Sequence, residues 1–432
     1  MNRPMRLFIL LAAAAALSAQ TYDLVLRNGH VIDPKNKLNG VRDVGIKDGR
    51  IAAIAPYIAP AQARRAVDVA GLHVVPGLID LHAHVFAGPN GGMLAGGHAS
   101  IFPDYFAPRV GVTTVVDAGS SGRHNFADFR KWVIDTARTR VLVLLNIGGR
   151  GMPGNHQEQD VSDMDAKAVA ALAKANADVV VGIKVAHYQG PDWTPVERGV
   201  EAGTLANIPV MIDFGEFRPE RPFQELVLKK LRPGDIYTHC FYAPVPMLDK
   251  AGKLLPYLFE ARKRGVIFDV GHGGAAFEFR QAVPAVKQGF PPDSISTDIH
   301  SGSISAGMKD QLNVMSKFLS MGMPLEEVIL RSTWNPARII RREQIGHLTV
   351  GALADVAVLR VEKGQYGFAD SYGARMDGGL RLSNELTVAS GKVIFDLNGR
   401  TRDRWDTLGQ YGPVSGPGWD GQRGGGRPLP LK

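Results

Sequence analysis

A chain of 432 residues that is 45% hydrophobic, 21% charged and 8% aromatic can bury a full core and has an ordinary globular balance. This excludes a chain disordered overall and a membrane bundle. The net charge of +8 gathers partly at the ends (Arg3 and Arg6; Arg400, Arg402, Arg404, Arg423, Arg427 and Lys432), so no basic run tracks a phosphate backbone and no nucleic-acid partner is expected.

The chain opens with an export pattern. Two arginines precede an almost wholly apolar stretch, 7–17, and Leu17-Ser18-Ala19 offers small residues before Gln20. The stretch is too short to remain as a membrane anchor. The expectation is a signal peptide over residues 1–19 and a periplasmic or extracellular mature chain with no membrane span.

Over residues 20–72, short apolar runs alternate with tight turns, among them Asn28-Gly29 and Asp48-Gly49, which are hairpin signals. The same idiom returns over 341–400, with apolar runs at 356–359, 386–389 and 393–395. The two segments are expected to join as one small β-sandwich. Residues 401–432, rich in Gly, Pro and Arg, read as a tail.

Between them, over 73–340, eight apolar runs recur at βα spacing: 74–81, 113–117, 141–147, 179–185, 209–214, 235–240, 266–270 and 294–298. Amphipathic stretches at 126–137, 163–175, 254–263 and 309–321 lie between several of them. Eight such repeats predict an α/β chain built as a (β/α)8 TIM-type barrel, with a doubly wound open sheet as the rival.

On a barrel, chemistry sits at the C-terminal ends of the strands. The first run ends in His82 and His84, which two-residue spacing turns to the same side, where imidazoles can share a metal ion. Lys184 interrupts the apolar fourth run. It is either a snorkelling or ion-paired lysine, or one converted by carbon dioxide to a carbamate, which turns a costly buried cation into an anion able to bridge two ions. The sixth run ends in His239, with Cys240, the single cysteine, facing the wall as a small hydrophobe. The eighth ends in Asp298, a carboxylate that could bind metal and accept a proton from water. His272, after the seventh run, is a candidate for contact with substrate or with an outer ligand shell.

The string Val75-Pro76-Gly77-Leu78-Ile79-Asp80-Leu81-His82-Ala83-His84 resembles the opening motif of the amidohydrolase superfamily, and Ser332-Thr333-Trp334-Asn335-Pro336-Ala337 and residues 346–355 resemble its closing motifs. Gly182-Ile183-Lys184-Val185, Thr238-His239-Cys240-Phe241 and Asp269-Val270-Gly271-His272-Gly273 resemble the dihydroorotase-related deacetylases, also described as D-aminoacylase-like. The likeness runs over residues 22–360. It implies two divalent ions, zinc usually and manganese as a variant, held by His82 and His84, a carbamylated Lys184, His239 and Asp298, with Asp298 also moving the proton. The fifth run departs from the pattern: where such relatives place a histidine, this chain has Asp213, which either ligates or leaves a site with one ion or no activity.

The implied reaction is hydrolysis of a small-molecule acyl bond by metal-activated hydroxide, with N-acyl amino acids as expected substrates. Acetyl esters and cyclic amides (dihydroorotase- or hydantoinase-like) are rivals, as is a metal-binding protein that has lost catalysis. Arg109, Arg150, His187 and Tyr188 are candidate partners for a substrate carboxylate. A homo-oligomer is compatible with these residues.

Overall fold

The computed structural model describes residues 21–89 and 92–407. The expected signal peptide and most of the expected tail lie outside them. Strands follow in chain order: β1 (Tyr22–Asp33), β2 (Leu38–Lys47), β3 (Arg50–Ala55), β4 (Ala63–Asp68), β5 (His73–Pro76), β6 (Leu78–Ala83), β7 (Val112–Ala118), β8 (Arg140–Asn146), β9 (Val180–Val185), β10 (Val210–Ile212), β11 (Ile236–Tyr237), β12 (Ile267–Phe268), β13 (Val356–Ala369), β14 (Arg375–Ala389) and β15 (Lys392–Asp396).

Strands β6 to β12 form a parallel sheet in chain order. Every residue of β6 to β9 is buried, as expected of parallel strands covered on both faces. Strand alternation divides them: Leu142 and Leu144 of β8 join Val116, Ala118, Met211 and Ile236 in one cluster, while Val141, Val143 and Leu145 join the other, with the helices. The eighth expected run is no regular strand. Its ends still bridge both edges of the sheet, Ser294 to Asp269 and Ile299 to Ala83.

Helices fall near their expected places where an acidic cap starts them. Asp165 accepts from the backbone N–H of Lys167 and Ala168 at 3.0 Å before helix Ala166–Ala175, and Asp310 accepts from Asn313 at 2.7 Å before helix Gln311–Ser320. The stretch expected as one helix over 126–137 is an α-turn, Phe126–Phe129, continuing into a π-helix, Arg130–Ile134. Among the described residues, no helix is long and apolar enough to cross a membrane.

The terminal segments join in one mixed sheet of order β15-β14-β13-β5-β1-β2-β3, with β4 also on β1. Leu24, Val31, Val44 and Ile46 from one end pack with Val356, Val358, Leu386 and Val388 from the other. The first expected run is therefore two strands. β5 belongs to the mixed sheet, pairing Pro76 with Val356, and β6 belongs to the parallel one. At the switch, Gly77 N–H donates to the Asp355 carbonyl at 2.8 Å.

Candidate active site

Three histidines are built alike. His82 Nδ1 lies 2.9 Å from Thr238 Oγ1, whose hydroxyl donates to Asp269 Oδ2 at 2.8 Å. The Thr238 proton is thereby used, so its oxygen accepts from Nδ1–H and the His82 Nε2 lone pair is left inward. His239 Nδ1–H donates to the Gly271 carbonyl at 2.6 Å, fixing the same tautomer. His84 Nδ1 meets Ser120 Oγ at 2.9 Å, and Ser120 N–H donates to Asp117 at 2.8 Å. An imidazole anchored at Nδ1 with Nε2 free is the arrangement of a metal ligand.

The Nε2 atoms converge on a carboxylate. Asp298 Oδ1 stands 3.4 Å from His82 Nε2 and 3.1 Å from His84 Nε2. Burial works against the Asp298 carboxylate, but His82 and His84 outweigh it and hold its pKa below the usual range. The loop after β12 presses close behind: a Cβ on Gly271, at φ 46°, would stand 2.3 Å from Thr238 Oγ1 and 2.8 Å from His239 Nδ1, so only glycine fits.

Lys184 has no solvent access. Its Nζ lies 3.3 Å from His82 Nε2 and 3.9 Å from Asp213 Oδ2. Burial pushes its pKa down, with Asp213 opposing. Its stem runs against Gly119, where a Cβ would approach Lys184 Cγ to 2.5 Å at φ 89°.

Asp213 faces the other side of Lys184. Its Oδ2 stands 3.3 Å from His239 Nε2 and 3.2 Å from His187 Nε2. Burial opposes its ionised form, and His239 and His187 outweigh burial, so its pKa lies well below the usual range. His187 Nδ1 in turn meets Glu158 Oε2 at 2.7 Å.

Among the four candidates for a substrate carboxylate, His187 alone lines the cavity. Arg109 lies over the Phe395 ring, the Tyr188 hydroxyl donates to Asp192 at 2.7 Å, and Arg150 offers its carbonyl to Asn125. His272 does not line the cavity either. It is fully buried, stacked on Phe277 at 4.4 Å, with Nε2 accepting from Lys317 Nζ at 2.6 Å and Nδ1 against the Gly273 carbonyl.

A cavity of about 290 Å³ opens over the cluster, lined by the polar side chains of His187, Asp213, His239, Asp298 and His300 and also by Phe214, Phe217, Tyr242, Ala275 and Ala276. A larger hollow of about 360 Å³ lies elsewhere, beside Gly234 and Ile267 at the opposite ends of β11 and β12, and holds no imidazole. The smaller cavity is the candidate site, because the buried histidine and carboxylate cluster faces it while the larger hollow is lined by Asp293, Asn335, Arg338 and Arg341 without a histidine. Donor atoms of His82, His239 and Asp298 all lie within 4.8 Å of one another, a spacing and chemistry that fit a divalent ion.

Comparison with known proteins places the chain among hydrolases. An amidohydrolase family model matches residues 277–389. A deacetylase of Brucella anthropi is 36% identical over 76% of this chain and 81% of its own length, and one of Enterococcus faecalis is 30% identical over 86% and 99%. Crystal structures described as an adenine deaminase (28% identity, TM-score 0.78, 87% of this chain and 100% of that one) and a dihydroorotase (32%, 0.74, 86% and 99%) share the fold. With near-full-length relatives and inward-turned imidazoles around a carboxylate, the chain belongs to the amidohydrolase family and is a hydrolase of carbon–nitrogen bonds.

Proposed function

We propose that the chain is a metal-dependent deacylase that cleaves the amide bond of small N-acyl amino acids with apolar side chains. One observation carries the reading: Asp298 Oδ1 faces two metal-ready imidazoles while its side chain, 14% exposed, opens on the cavity. Deacetylase-named relatives support an acetyl group, and the aromatic and alanine wall supports an apolar remainder.

His82, His84 and Asp298 hold one ion, and His239 and Asp213 a second, zinc being the simplest choice. Divalent ions there supply Lewis acidity toward water and toward the acyl oxygen. Lys184 stands between as a carbamate: its Nζ bonds the carbon of carbon dioxide and one proton leaves, a step that the depressed ammonium pKa favours. Asp298 takes the proton from the attacking water and delivers it to the leaving amine nitrogen, so that carboxylate and free amine are the products.

In this reading 294–299 is the eighth stave of a closed (β/α)8 barrel, 20–72 and 341–400 form its small β-domain, and residues 1–19 direct export. The dihydroorotase likeness supports a second reading, opening of a cyclic amide.

The test is amine release from N-acetyl-L- and N-acetyl-D-phenylalanine, beside ring opening of dihydroorotate and hydantoin, with zinc content measured on the same protein. Zinc-dependent amine release is expected. Ring opening alone would favour the second reading, and a chain that binds no divalent ion would overturn both.

A further inference from the structure

His187 repeats the construction of the other site histidines. Its Nε2 faces Asp213 Oδ2 at 3.2 Å, the atom that His239 Nε2 faces at 3.3 Å. Its Nδ1 is taken by a largely buried carboxylate, Glu158, at 2.7 Å, as the Nδ1 atoms of His82, His84 and His239 are taken by Thr238, Ser120 and the Gly271 carbonyl. A carboxylate behind an imidazole orients the ring and raises the basicity of its far nitrogen.

The backbone agrees. His187 has φ 55°, beside φ 59° at His239 and φ 53° at Asp298, all in the left-handed region. A non-glycine residue there costs on the order of 1 kcal/mol or more and persists where its surroundings hold it. The segment carrying Glu158 does so: Gln159 donates from Nε2 to the His187 carbonyl at 2.8 Å and accepts from Gln189 N–H at 2.8 Å, while Glu158 Oε1 accepts from Gly154 N–H at 2.9 Å. The His187 side chain, 45% exposed, is thus held on both ring nitrogens by carboxylates at the cavity wall.

We infer that His187 is a metal ligand: its Nε2, with Asp213 Oδ2 and His239 Nε2, completes the second ion site, and Glu158 is the residue that positions it. The inference rests on the reading above that divalent ions occupy this cluster. It gives that site two imidazoles and one carboxylate, a donor set suited to zinc once the ion displaces any ring protons that Asp213 and Glu158 hold in place.

The experiment strips the full chain with chelator, reloads it with zinc alone, and measures stoichiometry by elemental analysis and stepwise affinity by competition with a chromogenic chelator. The wild-type chain should take two ions. His187→Gly, which accepts the left-handed backbone, should keep the first and bind the second at least tenfold more weakly, with added imidazole restoring it; Glu158→Gln should weaken the second by about tenfold. Should His187→Gly not fold, by circular dichroism and thermal melting, the Glu158→Gln titration decides. Two ions bound at wild-type affinity in the folded variants would overturn the inference. A wild-type chain with one ion overturns it while leaving a one-ion hydrolase standing; a chain with none removes the metal reading as well.

Discussion

Lys184 Nζ stands 3.3 Å from His82 Nε2, and neither side chain reaches solvent. This contact joins the two halves of the site, since Nζ also faces Asp213 on its other side. An ammonium so placed is poorly solvated, which is why burial drives it toward the free amine.

Lys184→Ala should therefore remove the link between the halves. Bound zinc is expected to fall from about two ions to one or fewer, with turnover lower by roughly 10³-fold, the scale of losing a central electrostatic group. Elemental analysis beside steady-state kinetics measures both. Two ions retained at full affinity would defeat the bridging role.

Asp298→Asn keeps the volume and removes the carboxylate proposed as the base. Turnover should drop by about 10²- to 10⁴-fold while the fold survives. A variant with near-normal kcat would show that another group handles the proton.

Thr238→Val breaks the line from His82 through Thr238 to Asp269. His82 Nδ1–H loses its acceptor and Asp269 loses one donor, both in the buried interior. Zinc affinity should weaken by about 10- to 100-fold, and stability should fall by about 1–3 kcal/mol. Competition titration and urea unfolding read the two effects; unchanged affinity would mean that Thr238 does not orient the ring.

Lys317 offers a pH test outside the ion site. Burial lowers its pKa to about 7, with Asp370 opposing, while the unfolded chain titrates near 10.5. Above pH 7 the folded chain has given up a proton that the unfolded chain keeps, so unfolding takes up a proton. Stability then rises with pH through this window, by about 1.4 kcal/mol per unit at most, and the effect is flat below it, where both states are protonated. The difference in unfolding free energy between wild type and Lys317→Met, followed from pH 7 to 9, should grow in favour of the wild type. A constant difference would refute the depressed pKa.

The polar residues at or near the strand ends were readable from sequence because a buried parallel strand announces itself as an apolar run, and a polar residue at its C-terminal end stands out. His82, His84, Lys184, Asp213, His239 and Asp298 come together on that rule. Residues placed by loops escaped it. His187 lies two residues past β9, where a left-handed backbone turns it toward Asp213, and Glu158 reaches it from a segment with no periodic pattern. The orientation of His272 was not legible for a related reason: glycines of positive φ on both sides let the ring turn inward onto Phe277 and Lys317, away from the cavity lining. The run 74–81 looked continuous because apolar pattern does not record a change of sheet, and the β13–β14 hairpin was underestimated because its outer half is charged.

Strand β5 lies between β1 and β13, and Pro76, which pairs with Val356, is two residues from the strand that carries His82 and leads into His84. Without the strand that begins at Val356, β5 would present an open edge beside the segment that leads to His82 and His84. The first two imidazoles are thus tied, through β5, to a strand supplied by the C-terminal segment. A chain cut just before Val356 keeps every proposed donor and should still fail to hold its ions.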